Sequence, residues 1–227
     1  MINYLATCWE IIVRPIYFYT RLKDENWKES PLSFFLVTCW TLGFLATAAV
    51  FAVQYVPIGS TLIEGIVGLN FLIISPVLVT LALVFFMITF LILGGFFSFG
   101  FFIAFFVVGY LLHYIYVLLG GKGSVDRMVQ SAFYSSAILL AAALSIFLMI
   151  PTKYGLLSFQ LYRVGFNLNY YFIVIYIYGL WAIAARKCYK IPRWKAFTGA
   201  LLPIIILLIL GVLFDKIALP ILEPWIS

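Results

Sequence analysis

Between Ile66 and Leu119 the chain runs for 54 residues without one Asp, Glu, Lys or Arg. A helix that crosses a bilayer core about 30 Å thick needs about 20 apolar residues. The stretch is therefore longer than one crossing, and no small soluble domain could bury it. In hydrocarbon the backbone must satisfy its own polar groups, so the segment is predicted to be helical. Ser75-Pro76, Gly94-Gly95 and Gly100 interrupt it, and inside a membrane protein such places can kink or turn a helix. The stretch is expected to fold back, to lie partly at the interface, or to cross three times in short segments.

The rest of the chain agrees with a membrane setting. Of 227 residues 66% are hydrophobic and 10% charged, far below the roughly 25% charged residues of a soluble domain. The expected fold is an all-α polytopic transmembrane helical bundle, with a segment over 1–30 and a membrane domain over 31–227. Ile2, Leu5, Trp9, Ile12 and Val13 share one helical face, with Asn3, Glu10 and Arg14 opposite. This predicts an amphipathic helix too short to span, lying at the interface or packed on the bundle. Arg14 and Pro15 interrupt the start and no small-x-small site follows, so the N-terminus is expected to be retained. Ser30-Pro31 is a helix-start signal. Spans are predicted over 31–55, 128–150, 168–185 and 196–214, with 151–167 as a polar connection.

Counting Lys and Arg orients the chain, since cytoplasmic loops carry the excess. If 66–119 crosses twice, six crossings divide the basic residues seven against seven. If it makes one net crossing, the N-terminal segment, the turn near Gly121 and the 186–195 connection hold eleven against three. Five net crossings with a cytoplasmic N-terminus are predicted, and six are the alternative.

Few residues suggest chemistry. Gly120, Gly121, Lys122, Gly123 and Ser124 resemble a phosphate-binding loop, but Tyr116 stands where its first glycine belongs and Gly123 where Ser or Thr must follow the lysine. A tight helix-helix turn is the better reading. His113, the single histidine, sits near Tyr110, Tyr114 and Tyr116, and no predicted span contains a carboxylate. An interface histidine is favoured over a proton relay, which would want an acidic partner. Arg186, Lys187, Lys190, Arg193 and Lys195, interleaved with Tyr189 and Trp194, form the densest charge cluster. With Lys122 and Arg127 they are candidates for anionic phospholipid headgroups or a protein partner, and equally serve as a topology signal. Cys8, Cys39 and Cys188 lie far apart and read as apolar filler. No metal site, nucleophile with its base or paired carboxylate is evident, and no cofactor or nucleic acid is expected.

An ordered set of segments resembles the Yip (Ypt-interacting protein) domain family in its bacterial form. It comprises CWEIIVRPIYFY from Cys8, Trp27, Pro31-Leu32, LHYIYVLLGGKGSVDRMVQSAFYSSA from Leu112, Pro151, YIYGLWAIAARKCYKIPRWKAF from Tyr176, and Leu202-Pro203. The resemblance implies a multispanning protein with five spans and a cytoplasmic N-terminus. It carries over no catalytic activity or cofactor. Eukaryotic relatives act in vesicle traffic and bind Rab-type GTPases through longer N-terminal regions, and about 30 residues precede the first span here. The expected function is a non-enzymatic membrane-organising protein of the bacterial cytoplasmic membrane that binds lipids or other membrane proteins, with self-association left open. The alternative is a small permease or channel using the broken segments with Gln54, Asn70, His113 or Gln130.

Overall fold

The structure, a computed structural model, describes residues 3–23, 25–64, 66 and 69–226, without the side chains of 62 and 69–72. Among the described residues helix is the only regular structure. In chain order the helices are α1 (Tyr4–Val13), α2 (Pro15–Arg21), α3 (Ser30–Val50), α4 (Val56–Ile63), α5 (Leu69–Leu118), α6 (Val125–Ser135), α7 (Ala142–Phe147), α8 (Met149–Lys153), α9 (Phe159–Tyr189), α10 (Arg193–Leu213) and α11 (Leu219–Ile226). They join into five helices long and apolar enough to cross a membrane: Ser30–Thr61, Ile73–Leu118, Val125–Lys153, Phe159–Tyr189 and Arg193–Ile226. The chain is a polytopic helical membrane protein.

The long apolar stretch neither folds back nor crosses three times. It is one helix, α5, whose 50 residues extend about 75 Å at 1.5 Å per residue, more than the hydrocarbon is thick. Pro76 lies within it. Gly94 serves contact rather than turning. A Cβ on Gly43 would lie 2.8 Å from the Gly94 Cα, and one on Gly94 would lie 2.4 Å from the Trp40 ring. Lipid tails are as apolar as leucine, so helices in a membrane associate by close packing, which small residues permit. The glycine pair marks the α3–α5 seam.

Other boundaries move outward too. The first span continues through Pro57, because a wide π turn at Phe51–Tyr55 precedes it. That turn shifts the carbonyls which a proline ring would otherwise crowd. The same device, Phe214–Ala218, precedes Pro220 in the last span. Most of the predicted 151–167 connection is helix, since Ser158 accepts a hydrogen bond from the Leu161 N–H and starts α9 early. Lys190, at φ 54°, ends it. In the third span a 3-10 segment, Ser136–Ala141, separates α6 from α7. Asn169 Nδ2 donates to the Ala141 carbonyl (2.9 Å) and to Ser145 Oγ (2.8 Å) beside it.

The interior is aromatic. Phe35 stacks on Phe133 at 5.0 Å, and Trp27 meets Phe133 edge-on at 5.7 Å. Such pairs contribute about 1 kcal/mol each, which counts where burial against lipid contributes little. Helix α1 packs on this bundle: Tyr4 Oη lies 3.0 Å from Thr38 Oγ1, Tyr176 donates to the Ile12 carbonyl, and Cys8 and Ile11 are buried. Its inward face is Tyr4, Cys8 and Ile11, whereas Leu5, Trp9 and Val13, predicted to share the apolar face, point outward. Ile2 lies outside the described residues. Both sides of α1 are apolar, so it fits against protein and lipid at once.

Candidate functional site

The glycine turn closes α5 with a Schellman cap. Gly120, at φ 87°, takes the left-handed position, its N–H donating to the Val117 carbonyl (2.9 Å) and the Gly121 N–H to the Tyr116 carbonyl (2.8 Å). Gly121 and Gly123 lie against Tyr189. A Cβ would approach that side chain to 2.8 Å from the former position and 2.7 Å from the latter. Ser124 then caps α6, accepting from the Arg127 N–H.

Tyr189 ties the turn to the end of α9. Its ring is buried, its hydroxyl donates to the Ser124 carbonyl (3.2 Å), and its carbonyl accepts from the Lys122 N–H (3.3 Å). His113 Nδ1 lies 2.6 Å from the same hydroxyl. His113 is thus tied to the turn through the Tyr189 hydroxyl. Lys195 reaches across from α10, its Nζ donating to the Leu119 carbonyl (2.8 Å), one of the carbonyls a helix end leaves open.

Residues 19–23 join the same end of the bundle. Gln130, fully buried, donates from Nε2 to the Lys23 carbonyl (2.9 Å), and the Tyr19 hydroxyl donates to the Ser131 carbonyl. The structure therefore gathers the N-terminal segment, the glycine turn and the 190–192 connection. Lys122, Arg186, Lys190 and Arg193 are exposed there, while Arg127, Lys187 and Lys195 are half-buried. By sequence position Arg14, Arg21, Lys23 and Lys28 belong to this end too, and the last three basic residues, Lys153, Arg163 and Lys216, belong to the other end, with Glu64, Asp215 and Glu223. The net charge of +6 is carried wholly by the glycine-turn end.

At the opposite end a polar cluster forms that the sequence reading had split between a loop and a tail. Arg163 grips Asp215 with two parallel bonds, Nε to Oδ1 and Nη2 to Oδ2, each 2.7 Å, and Asn167 Nδ2 adds a third to Oδ1 at 2.8 Å. The carboxylate is 15% exposed. This fork fastens α9 to the π turn Phe214–Ala218 that follows α10.

The remaining candidates do not converge. Tyr110 packs on Phe106, with ring centroids 4.7 Å apart. Gln54 lies in the π turn near Ala52, whose carbonyl accepts from Tyr154 far from Gln130 and His113. The side chain of Asn70 lies outside the described residues. The three cysteines are buried and in no disulfide among the described residues, and Cys188 Sγ lies 3.6 Å from Ser131 Oγ. Among the described residues no three His, Cys, Asp or Glu side chains come together as a metal site would require.

In comparison with known protein families, the model described as Yip1 domain matches residues 9–214. Searches of curated proteins and of solved structures return no match.

Proposed function

The chain belongs to the Yip1 domain family, and on that premise we propose that it is a non-enzymatic membrane-organising protein whose basic end engages anionic phospholipid headgroups at the cytoplasmic face. The observation that carries this reading is the charge asymmetry. Four exposed cations stand on a platform held by Tyr189, the glycine turn and Lys195, and the opposite end is balanced. Near an anionic leaflet each cation contributes about 1 kcal/mol of attraction. Membrane helices carry their positive excess on the cytoplasmic side, which supports placing this end there. A headgroup or an acidic protein segment beside it would meet the same charges.

Two experiments test it. In intact cells, Lys28→Cys and Lys122→Cys should resist a membrane-impermeant maleimide while Lys216→Cys reacts, and the reverse pattern would invert the orientation. In reconstituted bilayers, phosphatidylglycerol carrying a photo-crosslinker on its headgroup should label peptides from 122–127 and 186–195. Labelling spread evenly over both ends would remove the headgroup role.

A further inference from the structure

At the basic end α5 and α10 touch closely: the Tyr116 ring lies against Gly199, and its hydroxyl donates to the Ala196 carbonyl (2.9 Å). Farther along they separate. Helix α5 packs on α3, α6 and α10, but its approach to α9 is slight. The gap is a cavity of about 430 Å³ between Phe101, Phe105 and Val108 of α5, Ile173 and Trp181 of α9, and Leu207 of α10. A second cavity of about 400 Å³ continues toward the Arg163 end, between Val50, Ile146, Met149, Phe166 and Phe214. Phe97, Tyr170 and Ile173 border both, so the two are neighbours, and the larger one is the crevice proper.

Three properties say what fills it. In the larger cavity the polar side chains of the wall are turned to protein partners: the Tyr170 hydroxyl donates to the Leu207 carbonyl (2.6 Å) and Trp181 Nε1 to Ser135 Oγ (2.9 Å). In the second, Asn169 Nδ2 is spent on Ala141 and Ser145 and the Tyr162 hydroxyl stands at the Arg163 end. A polar solute in the larger cavity would find hydrocarbon and aromatic faces. The rim is continuous with the lipid-facing surface, because Phe96 is 70% and Leu210 52% exposed and Gly100 between them is open. The length also fits. From Phe97 to Val108 the larger compartment follows α5 over twelve residues, a rise of about 16 Å, close to the roughly 15 Å reach of one leaflet's chains.

We infer that this crevice is a binding site for an acyl chain of a bilayer phospholipid, recognised by its tail and not by its headgroup. The walls are no more apolar than surrounding lipid, so retention comes from shape and dispersion contact. A gap of this size is foreign to packed protein interiors, and the neighbouring solvent is hydrocarbon. The site stands apart from the headgroup reading and does not require it.

The test uses the full chain in nanodiscs containing phosphatidylcholine with a diazirine near the end of one acyl chain. After photolysis, adducts are expected on peptides containing Phe101, Phe105, Ile173 and Trp181. Gly100→Phe should abolish them, since a Cβ at Gly100 meets nothing within 4 Å and the ring has room to enter the crevice. Adducts at outward-facing Leu168 and Ile175 should persist. If Gly100→Phe lowers the thermal midpoint, Ala104→Leu replaces it as the plug. Adducts confined to outward-facing residues, or unchanged by either plug, would overturn the inference. So would labelling that appears only when the tail probe carries an anionic headgroup. A phosphatidylglycerol tail probe that labels the crevice equally well supports the site even if headgroup crosslinking at the basic end fails.

Discussion

The two ends of the bundle use the same residue types for opposite purposes. At the Arg163 end a guanidinium and a carboxylate satisfy each other within a helix-helix joint, leaving Lys216 loosely associated at 3.9 Å. At the glycine-turn end Lys195 is drawn onto the Leu119 carbonyl, while Lys122, Arg186, Lys190 and Arg193 project outward. Joints are built from paired groups in both places. What differs is the unmatched remainder, which only one end possesses, and which supports the headgroup reading.

Perturbing each end separately breaks or sharpens that contrast. The largest effect is expected from Lys122→Glu, Arg186→Glu, Lys190→Glu and Arg193→Glu combined. Loss of four cations at about 1 kcal/mol each, with four carboxylates put in their place, should weaken preference for anionic lipid by at least ~4 kcal/mol at low salt, measured by lipid competition in nanodiscs, with the thermal midpoint unchanged. Next comes Gly123→Val, which forces a branched side chain into Tyr189. Overpacking of this kind costs about 2 kcal/mol, and thermal unfolding in detergent should show the loss together with weaker anionic-lipid preference. Asp215→Asn removes the charge held by Arg163 and Asn167. It should lower the midpoint by less than Gly123→Val and leave lipid preference intact, and a change in lipid preference would blur the distinction between the ends. Lys195→Met should cost about 1 kcal/mol, the loss of one hydrogen bond to a helix-end carbonyl, and lower anionic-lipid preference by less than the fourfold reversal does. The smallest test concerns α1 beside the basic end. Burial pushes the Cys8 thiol up from its ordinary pKa, so the neutral form persists at pH 8 and Cys8 should resist maleimide, whereas Leu5→Cys on the outward face should react. The thiolate would be the nucleophile, so reaction at Cys8 should appear only as the pH rises well past that of a free thiol.

Much of this architecture was legible in the residues, and the failures share a cause. Hydropathy located five spans, the Lys and Arg count placed the same segments at one end, and Ser124 and Gly120 did what a cap and a turn residue should. Gly94 was misread because a glycine beside another glycine looks the same whether it breaks a helix or admits a neighbour, and only Gly43 and Trp40 across the seam decide. Arg163 and Asn167 made 151–167 look like a loop because their partner, Asp215, is 52 positions away from Arg163. The spans predicted over 31–55 and 196–214 end too early because the π turns that carry the helix on through Pro57 and Pro220 leave no mark in composition. The crevice was invisible for a related reason: Phe105 and Trp181 have the same composition whether they touch or stand apart.

The central claim is that unmatched charge at the glycine-turn end selects anionic lipid. Native mass spectrometry of protein released from nanodiscs with equal phosphatidylglycerol and phosphatidylcholine tests it most directly. Wild type and Asp215→Asn should both retain phosphatidylglycerol in excess, and the fourfold charge-reversed variant should retain neither lipid preferentially. Equal retention of phosphatidylglycerol by wild type and the charge-reversed variant would contradict the account.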